Sequence, residues 1–248
     1  MFLSLSSRGY QPRTYRHRIS GGDLVSFEVT VAETDLFIRA QRDLTREAFR
    51  AIRAARREIE LHIQRDPRFL TSMEPYTVAE DAPEIVVDMA RAASRAGVGP
   101  MAAVAGAVAE RVGKRLLASS EEIIVENGGD VFLETAKPRT MGIFAGSSPL
   151  SNRMAIDIPP DRTPMGVCTS SGIVGHSKSF GRADAVIVLS SWTALADAVA
   201  TAAGNRVRSP QDINRALTFA MNVAGVEGIV VIMGDRIGVQ GEVELVAA

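Results

Sequence analysis

Three segments of this 248-residue chain combine residue types that could bind a ligand or perform chemistry. The first is Asn127-Gly128-Gly129-Asp130, which lies between two apolar runs. Asn-Gly in that position is a strong hairpin signal, so a plain turn is one interpretation. The other is a ligand-binding loop, because paired glycines let backbone N–H groups approach a phosphate closely. The local sequence leaves both interpretations open.

The second segment runs from Thr169 to Ser177 and contains small residues, hydroxyls and one histidine, without a charged side chain. Ligand-binding loops favour this composition, so the segment is a candidate ligand-binding loop. His176 could act as a general base or donate a hydrogen bond to a phosphate near neutral pH. A histidine hydrogen-bonded within its own loop is the alternative.

The third segment, residues 196–201, reads Ala-Asp-Ala-Val-Ala-Thr. Asp197 and Thr201 are four residues apart, so a helix would place them on one face. A carboxylate and a hydroxyl together suit Mg²⁺, which also takes waters and substrate phosphates as ligands. The alternative is an ordinary acidic residue in the first turn of a helix, where the helix dipole favours it.

Hydrophobic patterns predict the elements that must position these segments. Alternation predicts a strand at 24–31, and spacings of three and four residues predict a helix at 43–64. Further helices are predicted at 84–95, 101–117, 193–203 and 209–223, and short strands at 122–126, 131–133, 141–145, 154–158, 167–169 and 185–189. Residues 229–233 and 239–245 are interpreted as a closing hairpin. This order indicates a single α+β domain over 1–248.

Two basic regions stand apart from these segments. The first 22 residues are rich in arginine and are interpreted as a solvated entry segment or as an arm for an anionic ligand. The predicted helix at 43–64 carries Arg46, Arg50, Arg53 and Arg57 opposite its apolar face. Arginines at that spacing repel one another, so a preference for helix formation does not explain why they are there. A solvated face and a phosphate-binding face are the alternatives.

Composition narrows the class of protein. Lys plus Arg number 28 and Asp plus Glu 29, so the net charge of −1 provides no overall field for nucleic acid or anionic membranes. The single cysteine, Cys168, excludes an intramolecular disulfide framework. No apolar run is long enough to cross a membrane. Met1 is not followed by the apolar core of a secretory signal peptide. We therefore expect a cytoplasmic protein without nucleic-acid or membrane partners. A homodimer is compatible with the size, but no residue indicates it.

Taken in order, the three segments resemble the ApbE-like superfamily, the FAD:protein FMN transferase fold, and specifically its short uncharacterised branch. Asn127 to Asp130 looks like the family's Gly-Gly-Asp/Glu turn, and Ser171-Gly172 like its Ser-Gly ligand loop. His176 falls where the family has its histidine. Residues 196–201 resemble the Ala-Asp-Ala-x-Ala-Thr motif, whose Asp and Thr ligate Mg²⁺.

The resemblance implies an α+β fold with a mixed or antiparallel sheet and flanking helices. It implies FAD or FMN and Mg²⁺ as cofactors, with Asp197 and Thr201 as metal ligands and His176 as a catalytic residue. The implied cofactor contacts are Asn127, Gly128, Gly129, Asp130, Ser171 and Gly172. The implied partners are a small phosphorylated ligand and a protein that accepts the flavin.

Three functional hypotheses follow from the resemblance. The first is a flavin transferase. The second is a ligand-binding relative without catalysis, because the transferases have a lysine in a Gly-Ile-Ala-Lys-Gly-like helix start where this chain has Val104-Ala105-Gly106-Ala107. The third is an accessory protein with a sulfur-pathway partner, because this branch is associated with sulfur assimilation and homocysteine formation in anaerobes. Cys168 would then carry sulfur; otherwise it is a small buried hydrophobic residue.

Overall fold

The computed structural model describes residues 19–172 and 181–248, and within them the chain alternates between strands and helices. The first half contains β1 (Val25–Val31), β2 (Thr34–Ala40), α1 (Thr45–Arg65), α2 (Arg68–Thr71), α3 (Glu84–Ala96), α4 (Val104–Leu116), β3 (Ile123–Asn127) and β4 (Asp130–Glu134). The second half contains β5 (Arg139–Gly142), β6 (Met154–Ile158), β7 (Met165–Ser170), β8 (Ala185–Ser190), α5 (Thr193–Gly204), α6 (Ile213–Met221), β9 (Gly228–Met233), β10 (Arg236–Gly241) and β11 (Glu244–Ala247).

The strands form two antiparallel sheets. The larger has eight strands in the order β1-β2-β3-β4-β7-β8-β9-β10, and the smaller has three in the order β11-β6-β5. The helices cover one face of the large sheet, and the small sheet covers the other. The chain is therefore built in three layers, which confirms the predicted α+β fold with an antiparallel sheet and flanking helices.

β8 shows why its sequence is apolar throughout. Val186 and Val188 belong to the core shared with the helices, whereas Ile187 and Leu189 belong to the core shared with the small sheet. Side chains alternate between the two faces of a strand, so a strand covered on both faces must be apolar at successive positions. β9 is also covered on both faces, which explains why it too is apolar at successive positions.

One strand was not predicted, and one predicted strand was wrong. β2 was not predicted, because its buried positions include Arg39 and lie on both faces, so no alternation of apolar and polar residues marks it. The predicted strand at 239–245 is two strands, since β10 pairs with β9 in the large sheet and β11 pairs with β6 in the small one. Gly241, the last residue of β10, has a φ of 83°, and the chain turns there from the large sheet to the small one.

No helix in the described ranges is long and apolar enough to cross a membrane.

Candidate functional site

The turn between β3 and β4 carries the first predicted ligand segment. Gly128 and Gly129 have φ angles of 69° and 109°, in the left-handed region that favours glycine. The Gly129 N–H donates to Glu126 Oε1 at 2.8 Å, and the Asn127 side-chain amide donates to the Ala105 carbonyl at 3.0 Å. The segment is thus a hairpin turn that is also attached to the start of α4.

Asp130 begins β4 directly opposite Cys168 of β7, and both side chains are buried. Burial raises the pKa of Asp130 well above its ordinary value, and the nearby charge of Asp197 raises it further. The nearby Cys168 thiol and Thr169 N–H act in the opposite direction, although the thiol itself donates to the Thr193 carbonyl oxygen, 3.4 Å from its sulfur. Asp130 is therefore buried within electrostatic range of a second carboxyl group.

That second carboxyl group belongs to Asp197 on α5. Burial raises its pKa to about 7, although the N–H groups of Gly106 and Ala105 donate to it, the former at 2.8 Å. A Cβ on Gly106 would lie 2.6 Å from the Thr193 carbonyl oxygen, so only glycine lets α4 approach α5 this closely. Thr201 follows one helical turn later and is half-buried.

The N-terminus of α5 is capped from another helix rather than by Asp197. Asp197 is the fifth residue of α5, so the interpretation as an ordinary first-turn acid is wrong. Glu110 of α4 instead accepts from the Thr193 N–H at 2.9 Å and from the Ala194 N–H at 3.3 Å. Sequence reasoning missed Glu110; its only signal was a carboxylate within an otherwise small and apolar part of α4.

The end of β7 brings the second predicted segment to the same region. Ser170 is buried, and its Oγ has no hydrogen-bond partner among the described residues. It lies two residues after Cys168, so it shares the face of β7 on which Cys168 faces Asp130. Ser170 was not predicted as a site residue. A hydroxyl group buried without a partner is costly, which makes it a candidate ligand contact.

Ser171 and Gly172 continue beyond β7, where the Gly172 N–H donates to the Ala183 carbonyl at 3.0 Å. A Cβ on Gly172 would lie 2.2 Å from the Gly181 carbonyl oxygen, so the two ends of this loop pass in close contact. His176 lies outside the described residues, and its predicted role stays a prediction. The basic segment at 1–22 likewise lies largely outside them.

Cys168 lies in a setting that suppresses thiol chemistry. It is fully buried in the core between the large sheet and the helices. Burial raises the pKa of its thiol well above the ordinary value, and the charges of Asp130 and Asp197 add to that effect. Nucleophilic cysteines are accessible and have depressed pKa values. These surroundings match the interpretation of Cys168 as a small buried hydrophobic residue.

A carboxylate and a hydroxyl are the oxygen ligands that the sequence predicts for Mg²⁺ at this site. No described Lys, Arg or His forms an ion pair with Asp130 or Asp197, so their charges have no counterion of their own. The described residues contain no group of three or more His, Cys, Asp or Glu side chains placed to hold a metal. Mg²⁺ accepts such sparse protein ligation, because it keeps several waters and binds substrate phosphates. The assignment of Asp197 and Thr201 as metal ligands stays a prediction.

Comparison with known proteins places the chain in a family. Residues 16–236 match the family model described as "AbpE bacteria". The chain belongs to this family. It is also 41% identical over 226 residues to a UPF0280 protein of Methanococcus aeolicus, covering 89% of this chain and 91% of that one. A UPF0280 protein of Methanospirillum hungatei is 49% identical over 175 residues, covering 70% and 71%.

Solved structures confirm the fold. The flavin transferase ApbE of Vibrio cholerae superposes with a TM-score of 0.58 at 14% identity, covering 88% of this chain and 96% of that one. The apo form of the flavinyl transferase ApbE of Pseudomonas stutzeri gives a TM-score of 0.55 at 16% identity, covering 88% and 94%. The chain is thus an ApbE-like protein in fold and family, as the order of its three segments predicted.

Proposed function

We propose that this chain binds a phosphorylated ligand of the flavin type together with Mg²⁺. The binding site lies where the β3–β4 turn, the end of β7, the start of α4 and the middle of α5 converge. The observation that carries the proposal is that the carboxyl groups of Asp130 and Asp197 are both buried and have no described cationic partner. Burial raises the pKa of each, and the charge of Asp197 raises that of Asp130 further. Two adjacent buried carboxyl groups are costly in the absence of a cation, and a bound metal removes that cost.

Each predicted site residue has a place in this proposal. Asp197 and Thr201 hold the metal, which when bound supplies positive charge to polarise a pyrophosphate. The backbone around Gly128 and Gly129 and the loop at Ser171 and Gly172 line the ligand, with Asn127 and Asp130 beside them. The Ser170 hydroxyl adds a donor that no described residue uses. His176 accepts or donates a proton.

The fold of the solved flavin transferases is the reason to choose FAD as the first ligand to test. At 13–16% identity they support the fold of this chain and not its reaction. A transferase activity therefore needs its own measurement. Cleavage of the FAD pyrophosphate with transfer of FMN to a protein supports the enzyme hypothesis, and binding without cleavage supports a ligand-binding protein.

One observation favours the ligand-binding alternative. α4 begins at Val104, and its first turn contains Ala105, Gly106 and Ala107 but no lysine. The Ala105 and Gly106 N–H groups at this helix start donate to Asp197. The start of α4 thus holds the proposed metal ligand in place and brings no cationic side chain to a phosphate.

The first experiment is calorimetric titration of purified, ligand-stripped protein with FAD, with and without Mg²⁺. We expect micromolar binding that requires Mg²⁺ and falls by at least about tenfold in Asp197→Ala, because even indirect contacts to a metal are typically worth that much. Thr201→Val and Ser170→Ala should produce smaller losses. Asp161→Ala, which removes an exposed acid on the turn after β6, is the matched control.

Absence of FAD binding in the wild type would show that the fold has been reused for a different ligand. Equal affinities for the wild type and Asp197→Ala would disprove the metal assignment even if FAD bound. Loss of binding in Asp161→Ala as well would indicate a general effect of removing a carboxylate rather than a specific site.

A further inference from the structure

An open groove with a volume of about 670 Å³ runs along α1 beside the turn between β1 and β2. Its apolar floor includes Val31, Ala32 and Ala54, and an exposed Phe49 lies at its side. Arg50, Arg53, Arg56 and Arg57 line it from α1, together with one acid, Glu60. We call this feature the arginine groove. It shares no residue with the candidate functional site.

Three of the four arginines that line the groove, Arg50, Arg53 and Arg57, have no acidic partner among the described residues. Arg50 and Arg57, together with Arg46 at the start of the same stripe, form no ion pair with any described residue. Arg53 lies over the Phe49 ring, 5.8 Å from its centroid. The acid nearest along the groove, Glu60, is already paired with Arg56 at 2.7 Å, as is Glu33. The groove therefore presents positive charge that the fold itself does not neutralise.

This arrangement lowers the stability of the chain in three ways. The stripe repeats like charges at three- and four-residue spacing, which destabilises a helix. Arg46 is the second residue of α1, where the helix dipole disfavours a cation. Ala32 adopts a φ of 52°, a left-handed conformation that glycine would adopt with less strain. Strained backbone clusters at ligand-binding sites, and an anionic partner would relieve the repulsion between the arginines.

We propose that the arginine groove binds an acidic polypeptide segment in an extended conformation, with at least one apolar side chain. Successive arginines of the stripe are about 4.5 to 6 Å apart along the helix axis. Side chains on one side of an extended segment recur about every 6.8 Å, so its carboxylates can meet successive guanidinium groups. The apolar floor then receives a neighbouring hydrophobic side chain.

Two observations favour a peptide over other occupants. The groove is lined by a single aromatic ring, Phe49, whereas proteins that bind single-stranded nucleic acid stack successive bases on several aromatic side chains. The first 18 residues of this chain contain four arginines and no acid, so their charge does not complement the groove. An acidic segment of another protein therefore fits the charge and the apolar floor together.

The test uses the full-length protein and a fluorescent peptide in which glutamates alternate with serines around one central leucine. Anisotropy should show binding that weakens with salt, and a counterpart with glutamine in place of glutamate should bind much more weakly. We expect Arg50→Gln combined with Arg57→Gln to reduce the affinity by about three- to tenfold. Phe49→Ala should reduce it further, whereas Phe49→Leu should retain most of it.

The matched control combines Arg153→Gln with Arg236→Gln. It removes two exposed arginines, one just before β6 and one at the start of β10, and changes the net charge as much as the groove variant does. This control should bind the peptide like the wild type. Equal losses in both double variants, or no salt-dependent binding by the wild type, would overturn the proposal. So would tighter, Arg50- and Arg57-dependent binding of a thymidine oligonucleotide, which would mark a nucleic-acid surface. None of these results depends on FAD or Mg²⁺.

Discussion

Asp197 creates a pH dependence whose sign follows from its surroundings. Burial raises its pKa from an ordinary value of 3.8 to about 7. Between these values the folded chain holds a proton that the unfolded chain has released, so the free energy of unfolding falls as the pH rises. The contribution of this carboxyl group is fully present below about pH 4 and is lost as the pH rises through 7.

We therefore predict that Asp197→Asn makes the metal-free protein more stable at pH 8. The amide cannot ionise, but its oxygen still accepts the Gly106 N–H. The gain in free energy of unfolding should be about 1 to 3 kcal/mol at pH 8 and should vanish near pH 4. Urea denaturation across this range, without divalent cations, measures it. Asp161→Asn is the exposed control, and parallel curves for wild type and Asp197→Asn would contradict the prediction.

At the scale of elements, the contact between α4 and α5 determines where the site residues lie. Glu110 of α4 accepts two N–H groups at the start of α5, and Gly106 of α4 donates to Asp197 in the middle of α5. The two contacts are four residues apart on α4, about one helical turn. They fix the register of α5 against α4 and thereby set the depth at which Asp197 lies.

Removing the Glu110 carboxylate should reveal this coupling between helices. Glu110→Ala leaves the buried N–H groups of Thr193 and Ala194 without an acceptor, and we expect a loss of about 2 to 3 kcal/mol in unfolding free energy. Lys114→Ala is the matched control, because it removes only the exposed partner of Glu110 in an ion pair. That control should cost less than about 1 kcal/mol. Thermal or urea unfolding measures the stability of both variants. Similar losses in unfolding free energy for Glu110→Ala and Lys114→Ala would show that capping by Glu110 contributes little.

At the scale of the whole molecule, a buried ion pair joins the two sheets. Arg139 of the small sheet donates to Glu122, which precedes β3 of the large sheet, at 2.7 Å, and to Asp23 before β1 at 2.6 Å. Burial would raise the pKa of Glu122, but hydrogen bonds from Arg139 and Thr135 hold it below the ordinary value. The charges of both Arg139 and Glu122 are thus balanced within the interface between the sheets.

We predict that Arg139→Ala destabilises the fold by about 3 to 5 kcal/mol, because it leaves the Glu122 carboxylate buried without its partner. Arg68→Ala, which breaks an exposed ion pair with Asp66, should change stability by less than about 1 kcal/mol. Urea unfolding at neutral pH measures both. A small effect of Arg139→Ala would mean that water reaches Glu122 and replaces the guanidinium group.

Local patterns predicted much of the fold. The helix predicted at 84–95 is α3, Glu84–Ala96, and the strand predicted at 185–189 is β8, Ala185–Ser190. These elements are recognisable because the apolar residues of α3 recur at the spacing of a helix, and those of β8 form the short continuous run of a strand that is buried on both faces. β2 and the division between β10 and β11 were not predicted, since each depends on which distant strand pairs with it.

The candidate site divides in the same way. The segment at 127–130 and the pair Asp197 and Thr201 could be found from residue types, spacing and a family resemblance. The Ser170 hydroxyl and the Glu110 cap could not, because their significance lies in what surrounds them. A serine at a strand end and a glutamate within a helix are ordinary in sequence. Only burial shows that one lacks a partner and the other has two.

By itself, the sequence determined the fold class, the identity of most elements and the order of the three ligand segments, because these depend on local periodicity and residue type. Only the tertiary structure decided that Asp130 and Asp197 are buried close enough for the charge of Asp197 to affect Asp130, since 66 residues separate them in the chain. Their interaction depends on how β4 pairs with β7 and on how a glycine lets α4 approach α5. A pKa near 7 for Asp197 is a property of that packing and of no local sequence.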